Sequence, residues 1–260
     1  MSWQGGSFGE RATCVLAPNA SPMTLDGTNT WVIREPGARR AVVVDPGPLH
    51  EQHLDRVADV AGRVGIVLLT HGHADHSEGA RAFAERVGCG IRALDPTFVY
   101  GGEGLNDGDV VELDGLEVRV VGTPGHTSDS LSFVLPAERA VLTGDTVLGR
   151  GTTVVAHPDG ELGAYLGSLR LLRDLAEVHE LEVIWPGHGP VLDEALPVLD
   201  YYLRHRVERL DQVREAVADG AVEPRDVVRR LYADVDERLW PAAELSVRAQ
   251  LEYLCRSSDA

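Results

Sequence analysis

Residues 70–76 read Thr70-His71-Gly72-His73-Ala74-Asp75-His76, which places three histidines and one aspartate within seven positions. At the His and Asp content of this chain, a chance match to the pattern HxHxDH is roughly a one-in-a-thousand event. The alternative to a functional site is a polar surface loop. The apolar run over residues 64–69 argues against a surface loop, because such a run is typical of a buried strand, and here it ends just before the histidines begin.

The same arrangement recurs at four other places along the chain. Apolar, β-branched runs lead to Asp45, His126, Asp145 and His188, each time through a short turn that mostly bears glycine. Ligands bind at such strand ends in layered α/β folds. Five strand ends that each deliver a His or Asp are hard to explain as core packing.

The side-chain types indicate the chemistry. Imidazole and carboxylate together suit zinc, iron or manganese, and the absence of thiolates disfavours a closed structural zinc site. Three histidines around one ion leave a position open for water, and a carboxylate such as Asp145 can bridge to a second ion. Two ions about 3.5–4 Å apart can deprotonate a shared water. We therefore expect two divalent ions, zinc first, with iron or manganese as alternatives.

The balance of charge bears on the class of substrate. The chain has 41 acidic and 24 basic residues, a formal net charge of −17, and every basic residue is arginine. Nucleic-acid affinity depends on basic side chains that neutralise phosphates, so this balance disfavours a long polyanion without excluding RNA.

Composition indicates an ordinary globular protein, with 43% apolar and 25% charged residues. The opening segment lacks the pattern of a secretory signal, and no apolar stretch approaches the roughly 18 residues of a membrane span. We therefore expect a cytoplasmic protein with no membrane partner. Cys14, Cys89 and Cys255 are widely spaced and are expected to be buried or half-buried free thiols.

The chain changes character near residue 199. Residues 1–198 alternate strands with helices, the clearest helix covering 161–178 and another about 78–87. After Pro197 the pattern predicts helices only: 201–218, one that begins near Pro224, and one that begins near Pro241. This predicts a catalytic domain over 1–198 and a helical domain over 199–260.

The motifs VVVDPGP (42–48), THGHADH (70–76), GHTSDS (125–130), LTGD (142–145) and PGHG (186–189) together resemble the metallo-β-lactamase superfamily. The resemblance covers about residues 15–198 and has all five motifs in the right order. It implies an αββα sandwich with the site at one edge of two packed sheets. It also implies a metal-dependent hydrolase that uses a hydroxide held by two metals.

The resemblance assigns the ligands by position: His71, His73 and His126 to the first metal, and Asp75, His76 and His188 to the second. Asp145 would bridge the two ions, and Asp45 would support the ligands from behind. Asp75 would also be the catalytic carboxylate, which orients the attacking hydroxide or accepts its proton. Antibiotic-degrading members usually carry cysteine at the position of Asp145, so the aspartate points away from β-lactam hydrolysis.

The finer resemblance is to the β-lactamase-like-protein-2 group. It rests on residues 22–31, 165–169 and 186–190, together with His205, Arg206 and Arg209. That group ends in a small winged-helix-like helical domain, which corresponds to 199–260. Some of its members cleave single-stranded RNA, others hydrolyse acyl thioesters on polyketide-type carrier proteins, and the neighbouring glyoxalase II hydrolyses glutathione thioesters.

Charge favours a thioester or ester on a small-molecule or carrier-bound acyl group. A single-strand-specific endoribonuclease or phosphodiesterase is the alternative, and a non-catalytic binding module on the same fold is a third. The complete set of ligands disfavours the third. The sequence indicates no oligomeric state.

Residues outside the motifs give weaker indications. His205 and Arg209 are candidates for binding substrate at the mouth of the site, the alternative for them and for Arg206 being a solvated helix face. His157 is a further candidate that lines the pocket, or else a loop histidine without a partner. Three other histidines lie outside every motif and are expected at the surface: His50, His53 and His179.

Overall fold

A computed structural model describes residues 2–258 of the chain and contains two sheets. The N-terminal part of the chain forms the first sheet. Its six strands lie in sequence order, antiparallel up to the fourth and parallel from there: β1 (Gly5–Phe8), β2 (Ala12–Leu16), β3 (Asn29–Ile33), β4 (Arg40–Val44), β5 (Arg63–Leu68) and β6 (Gly90–Arg92). Buried valines fill β4, as expected for a strand covered on both faces.

The second sheet also has six strands, in the spatial order β12-β11-β10-β9-β8-β7. Only the pair β10 and β11 is parallel. The strands are β7 (Val110–Leu113), β8 (Leu116–Gly122), β9 (Leu131–Leu135), β10 (Ala140–Gly144), β11 (Val183–Pro186) and β12 (Leu192–Asp193).

The two sheets face each other across the main core. Trp31 on β3 and Trp185 on β11 stack with ring centroids 5.1 Å apart and planes at 14°. Phe133 and Leu135 on β9 complete the apolar layer. Because aromatic side chains bury large areas, this layer fixes the two sheets against each other at the edge where the site lies.

Helices cover the outer faces. α1 (Glu51–Ala61) and α3 (Ala80–Val87) pack on the first sheet, and the short helix α2 (Ala74–Ser77) lies just before α3 in the chain. α4 (Leu162–Val178) and the start of α5 (Ala195–Ala218) pack on the second. This helix–sheet–sheet–helix order confirms the expected αββα sandwich. The predicted helices over 161–178 and about 78–87 correspond to α4 and α3.

The last part of the chain is helical within the described range, with α6 (Pro224–Leu231) and α7 (Trp240–Ser258) after α5. These helices share a small core of their own, which contains Val213, Val227, Val228 and Val247. Pro224 and Pro241 stand in the first turns of α6 and α7, where the missing N–H is not needed.

The first C-terminal helix is longer than the sequence predicted. α5 begins at Ala195 rather than Tyr201, so Pro197 lies inside its first turn instead of before it. Proline is tolerated there because the first N–H groups of a helix have no partner inside the helix. The helix therefore runs without a break across residue 199.

The expectation that His53 lies at the surface is wrong. His53 is fully buried on α1, and its Nε2 lies 3.0 Å from the Thr30 hydroxyl oxygen. Burial lowers the pKa of His53 to about 4 and keeps its imidazole neutral. The cysteines are free thiols as expected, but Cys255 is exposed rather than buried. None of the helices within residues 2–258 has both the length and the hydropathy of a bilayer-spanning segment.

Candidate metal centre

The seven predicted ligands meet at one edge of the two sheets. The segment after β5 carries His71 and His73 and continues into α2, which carries Asp75 and His76. Turns after β8, β10 and β11 bring up the rest: His126, Asp145 and His188. Their ligand atoms fall into two groups, each with all members within 4.8 Å of one another: His71, His73, His126 and Asp145, and then Asp75, His76 and His188.

Three imidazole nitrogens converge in the first group. His73 Nδ1 lies 3.1 Å from His71 Nε2 and 3.1 Å from His126 Nε2. Ligand nitrogens around a tetrahedral zinc ion, at about 2.0–2.1 Å from the metal, are about 3.3 Å apart. The two observed nitrogen–nitrogen separations are close to the edge length of such a tetrahedron.

The second group is equally close. His188 Nε2 lies 3.2 Å from His76 Nε2 and 3.1 Å from Asp75 Oδ2. His76 and His188 are buried, whereas the side chain of Asp75 is 29% exposed. Asp75 is therefore the member of this group that is open to water.

Asp145 reaches both groups from between them. Its Oδ2 lies 3.6 Å from His126 Nε2 and 3.3 Å from His188 Nε2, and its Oδ1 lies 3.4 Å from His76 Nε2. The buried Oδ1 has no hydrogen-bond partner among the residues that the structure describes. A buried carboxylate oxygen without a donor needs another partner, and a divalent cation supplies one. The donor set therefore fits two ions that share Asp145.

The remote nitrogens of four ligand histidines face fixed acceptors. His126 Nδ1 lies 2.8 Å from the Val154 carbonyl oxygen, and His188 Nδ1 lies 3.1 Å from the Gly27 carbonyl oxygen. His71 Nδ1 lies 3.0 Å from the Thr70 hydroxyl oxygen. Such contacts fix the tautomer and leave Nε2 free to bind a metal.

Asp45 provides the contact for the fourth histidine, His76. Its Oδ2 lies 2.8 Å from His76 Nδ1 and accepts the Thr70 hydroxyl at 2.6 Å, while its Oδ1 accepts the Thr70 backbone N–H at 2.8 Å. Asp45 thus holds the start of the ligand segment and the ring of His76 together. It lies where the sequence placed it, behind the ligands.

Glycine before His188 is required by the crowding of the centre. A Cβ atom on Gly187 would lie 2.6 Å from Asp145 Oδ1 and 2.7 Å from His76 Cε1. Real Cβ atoms do not approach so closely, so any other residue would push the ligands apart. This explains the glycine in the motif over 186–189.

The buried acidic and imidazole groups of the centre shift one another's pKa. Burial alone would raise the pKa of Asp145, but His188 and His76 outweigh it and hold that pKa well below its ordinary value. Burial would lower the pKa of His76, yet Asp145 and Asp45 raise it well above the usual range. Because imidazole must be neutral to bind a metal, protons and metal ions compete for this group.

A cavity of about 340 Å³ opens next to the centre. His126 and Asp145 lie on one side of it, and the α5 residues His205, Arg206 and Arg209 on another. The remaining walls are largely apolar and come from Leu148 after β10 and from residues of the C-terminal part, including Tyr232, Val235, Leu239 and Ala242.

The structure thus brings two of the three predicted substrate-binding residues to the cavity. His157 is not among its lining residues; its Nδ1 instead lies 2.8 Å from Glu252 Oε2 on α7. The prediction that His157 lines the pocket is therefore corrected, since this contact turns the ring towards α7. Arg206, which the sequence left as a solvated face or a mouth residue, is buried. Helical spacing from Leu199 and Tyr202 contained that signal, because both lie on the buried face of α5.

Comparison with known proteins agrees with this geometry. The sequence pattern of the Metallo-beta-lactamase superfamily matches residues 23–188, more than half of the chain. The chain belongs to that superfamily. It is a hydrolase of the metallo-β-lactamase fold. The pattern of the Beta-lactamase associated winged helix domain matches residues 224–257, which confirms the expected winged-helix character of the C-terminal part.

Two curated relatives are similar to this chain over most of its length. The Beta-lactamase-like protein 2 homolog of Caenorhabditis elegans is 30% identical over 259 residues, 95% of this chain and 85% of that protein. The Atrochrysone carboxyl ACP thioesterase of Aspergillus fumigatus is 32% identical over 258 residues, 88% of this chain and 77% of that protein. These matches confirm the resemblance to the β-lactamase-like-protein-2 group.

A solved structure extends the likeness of this metallo-β-lactamase chain to its whole fold. A Beta-lactamase domain protein from Burkholderia ambifaria superimposes with a TM-score of 0.83 at 22% identity. The superposition covers 98% of this chain and 88% of the other. It therefore includes the C-terminal helices as well as the sandwich.

Proposed function

We propose that this chain hydrolyses acyl thioesters or esters, on a small-molecule or carrier-bound acyl group, at a centre of two divalent ions. The observation that carries the proposal is the paired ligand groups sharing Asp145, next to a cavity that reaches both His126 and Asp145. The thioesterase named among the relatives supports this substrate class for the present chain.

The ligand set favours zinc, with iron or manganese as alternatives, since all donors are imidazole or carboxylate. Two such ions, when bound, would lower the pKa of a water molecule and polarise a carbonyl oxygen. His71, His73 and His126 would hold one ion and Asp75, His76 and His188 the other, with Asp145 shared.

Asp75 is the residue we assign to proton handling. Its Oδ2 faces His188 Nε2 at 3.1 Å, and its side chain is 29% exposed. From there the carboxylate can accept a hydrogen bond from the attacking water and aim its oxygen at the acyl carbon. The new C–O bond forms as the C–S bond breaks, the thiolate leaves, and the water proton ends on the thiol or in solvent.

Cleavage of single-stranded RNA is the second candidate. The winged-helix match over residues 224–257 favours it, but only by analogy of fold, and fold alone does not carry function. A hydroxide held by two metals can attack either phosphorus or a carbonyl carbon, so the substrate must be tested directly.

A panel of substrates on metal-loaded protein tests the proposal. It should contain acyl thioesters of N-acetylcysteamine, an activated ester, a phosphodiester and a single-stranded RNA. We expect chelator-sensitive turnover of the thioesters to exceed that of the phosphodiester. Metal-dependent, strongly salt-sensitive cleavage of RNA without thioester turnover would transfer the assignment to the ribonuclease candidate.

A further inference from the structure

Arg206 is the one buried arginine in the described part of the chain, at 6% exposure. Its Nη2 donates to the Thr153 carbonyl at 2.6 Å, and its guanidinium carbon lies 4.8 Å from the centroid of the Tyr165 ring. Its Nε has no hydrogen-bond partner, and no carboxylate within residues 2–258 pairs with it. A buried cation is costly unless an anion compensates it, so this guanidinium lacks its expected partner.

Arg209 presents a second cation to the same cavity. It follows Arg206 by three positions on α5, which places the two side chains on neighbouring parts of one helix face. Its guanidinium carbon lies 4.6 Å from the Tyr232 ring centroid, and Nη1 donates to the Leu231 carbonyl at 3.3 Å. Across the residues that the structure describes, no acidic side chain pairs with it.

The charge of this cavity is opposite to that of the molecule. The chain carries 41 acidic residues, yet within the described range Asp145 is the only carboxylate among the lining residues. Asp145 is already shared by the two ligand groups. Arg150 also lines the cavity but is paired with Asp26 at 2.6 Å, so Arg206 and Arg209 are the arginines left for a ligand.

Arg206 is connected to the candidate metal centre through Thr153. Arg206 donates to the carbonyl of Thr153, whose hydroxyl oxygen lies 3.1 Å from Nδ1 of the ligand histidine His126. A single residue thus separates the guanidinium from a metal ligand. Apolar side chains such as Leu148 and Val235 line the same cavity.

We infer that Arg206 and Arg209 form an anion subsite which recognises a carboxylate carried by the acyl group of the substrate. The substrate class is then an acyl thioester with an apolar stem and an anionic end. The short path from Arg206 to His126 favours a carboxylate on the acyl group over the phosphate of a pantetheine arm, which lies far from the sulfur. This inference rests on the proposed function.

A matched pair of substrates tests the subsite. Metal-loaded full-length protein is given two N-acetylcysteamine thioesters of equal length, one ending in a carboxylate (adipoyl) and one in a neutral amide (adipamoyl). We expect the carboxylate to raise kcat/KM by about tenfold or more, the range of one charge-assisted hydrogen bond. In Arg206→Gln and Arg209→Gln this ratio should fall towards one. Arg204→Gln, an exposed arginine of the same helix, should keep the wild-type ratio.

Arg206 is buried, so Arg206→Gln can also lower the stability of the fold. Arg209 is half-buried, and Arg209→Gln therefore keeps the test decisive. If thioesters are hydrolysed without preference for the carboxylate, or with the same preference in Arg209→Gln, the subsite is overturned and the proposed function stands. A preference that appears only when a phosphate is placed on the thiol, in acyl-pantetheine 4′-phosphate, also overturns the assignment to the acyl side.

Failure of the proposed function is distinguished by a binding measurement. If no thioester is hydrolysed, calorimetric titration of metal-loaded protein with adipic acid monoamide and with adipamide separates the two ideas. Tighter binding of the acid that is lost in Arg209→Gln supports the subsite on its own. Equal binding in both proteins overturns it, as does RNA cleavage that depends on both arginines.

Discussion

Asp75 differs from the other carboxylates of the centre in its exposure. Its side chain is 29% exposed, against 10% for Asp145 and 2% for Asp45. The proton-handling role that we propose needs access to water, and Asp75 is the most exposed of the three carboxylates. The exposure also means that little core packing depends on it.

We therefore expect Asp75→Asn to lower kcat by about 10²–10⁴-fold, the usual contribution of a general base or acid. The melting temperature of the metal-loaded protein should change little, because the amide keeps the shape of the side chain. Turnover and thermal unfolding measured on the same preparations check this, with Asp59→Asn on the exposed face of α1 as the control. A variant that keeps most of its activity would show that Asp75 only binds metal.

Asp145 should decide how many ions the centre holds. Its two oxygens reach His126 in one group and both His76 and His188 in the other. Removing them in Asp145→Ala should lower the metal content from about two ions per chain towards one. Elemental analysis after controlled loading measures this, with the exposed Asp174→Ala as the control. Two tightly held ions in Asp145→Ala would disprove the shared ligand.

The ligands were predictable from the sequence, whereas some of their neighbours were not. Each ligand follows a strand or lies in one motif, so local sequence marks it. Arg206 and His53 are buried by partners distant in the chain: Arg206 contacts Thr153, and His53 contacts Thr30. Helical spacing shows which face of α1 or α5 is buried, but only the tertiary fold shows what meets a polar residue there.

At the scale of elements, α5 is joined to the loop that follows β10. The Tyr202 hydroxyl accepts the Leu148 N–H at 2.9 Å and lies 3.1 Å from each of the carbonyls of Leu148 and Gly151. The same loop provides the Val154 carbonyl that faces His126 Nδ1. α5 therefore contacts the loop that faces His126, a predicted metal ligand, which a division of the chain at residue 199 does not suggest.

Tyr202→Phe tests this connection. The ring stays and the hydroxyl is lost, which leaves the buried Leu148 N–H without its acceptor at a cost of about 1–3 kcal/mol. We expect weaker binding of the ion held by His126 and a lower urea midpoint. Chelator competition and urea unfolding provide the two readouts. Tyr201→Phe, whose side chain is exposed, should match the wild type; equal metal affinity in Tyr202→Phe would show that the loop holds His126 unaided.

At the scale of the whole molecule, net charge was an incomplete guide. A value of −17 describes the average surface, whereas the cavity has two arginines free of acidic partners. Field strength at a cleft depends on the groups that line it, which composition does not locate. The charge argument against long polyanions therefore does not extend to a single anionic group on a small substrate.

The proposed division at residue 199 leads to the last prediction. Leu199 and Tyr202 of α5 are buried against the α4 residues Tyr165, Leu169 and Leu172, all of them fully buried. A chain that ends at residue 198 loses this cover, and removal of buried side chains of this size costs about 2–5 kcal/mol each. A chain that ends at residue 220 keeps the whole of α5 and exposes mainly the small core around Val213 and Val227.

We expect the chain that ends at residue 220 to have the higher urea midpoint of the two, and the chain that ends at 198 to expose apolar surface and aggregate. Circular dichroism during urea unfolding, with metal content measured alongside, compares them with the full-length protein. The physical reason is that α5 belongs to the second sheet's outer layer at its start and to the C-terminal core at its end. If residues 1–198 alone fold with the midpoint of the longer chain and bind two ions, the boundary at 199 is a true domain boundary and α5 contributes nothing to the sandwich.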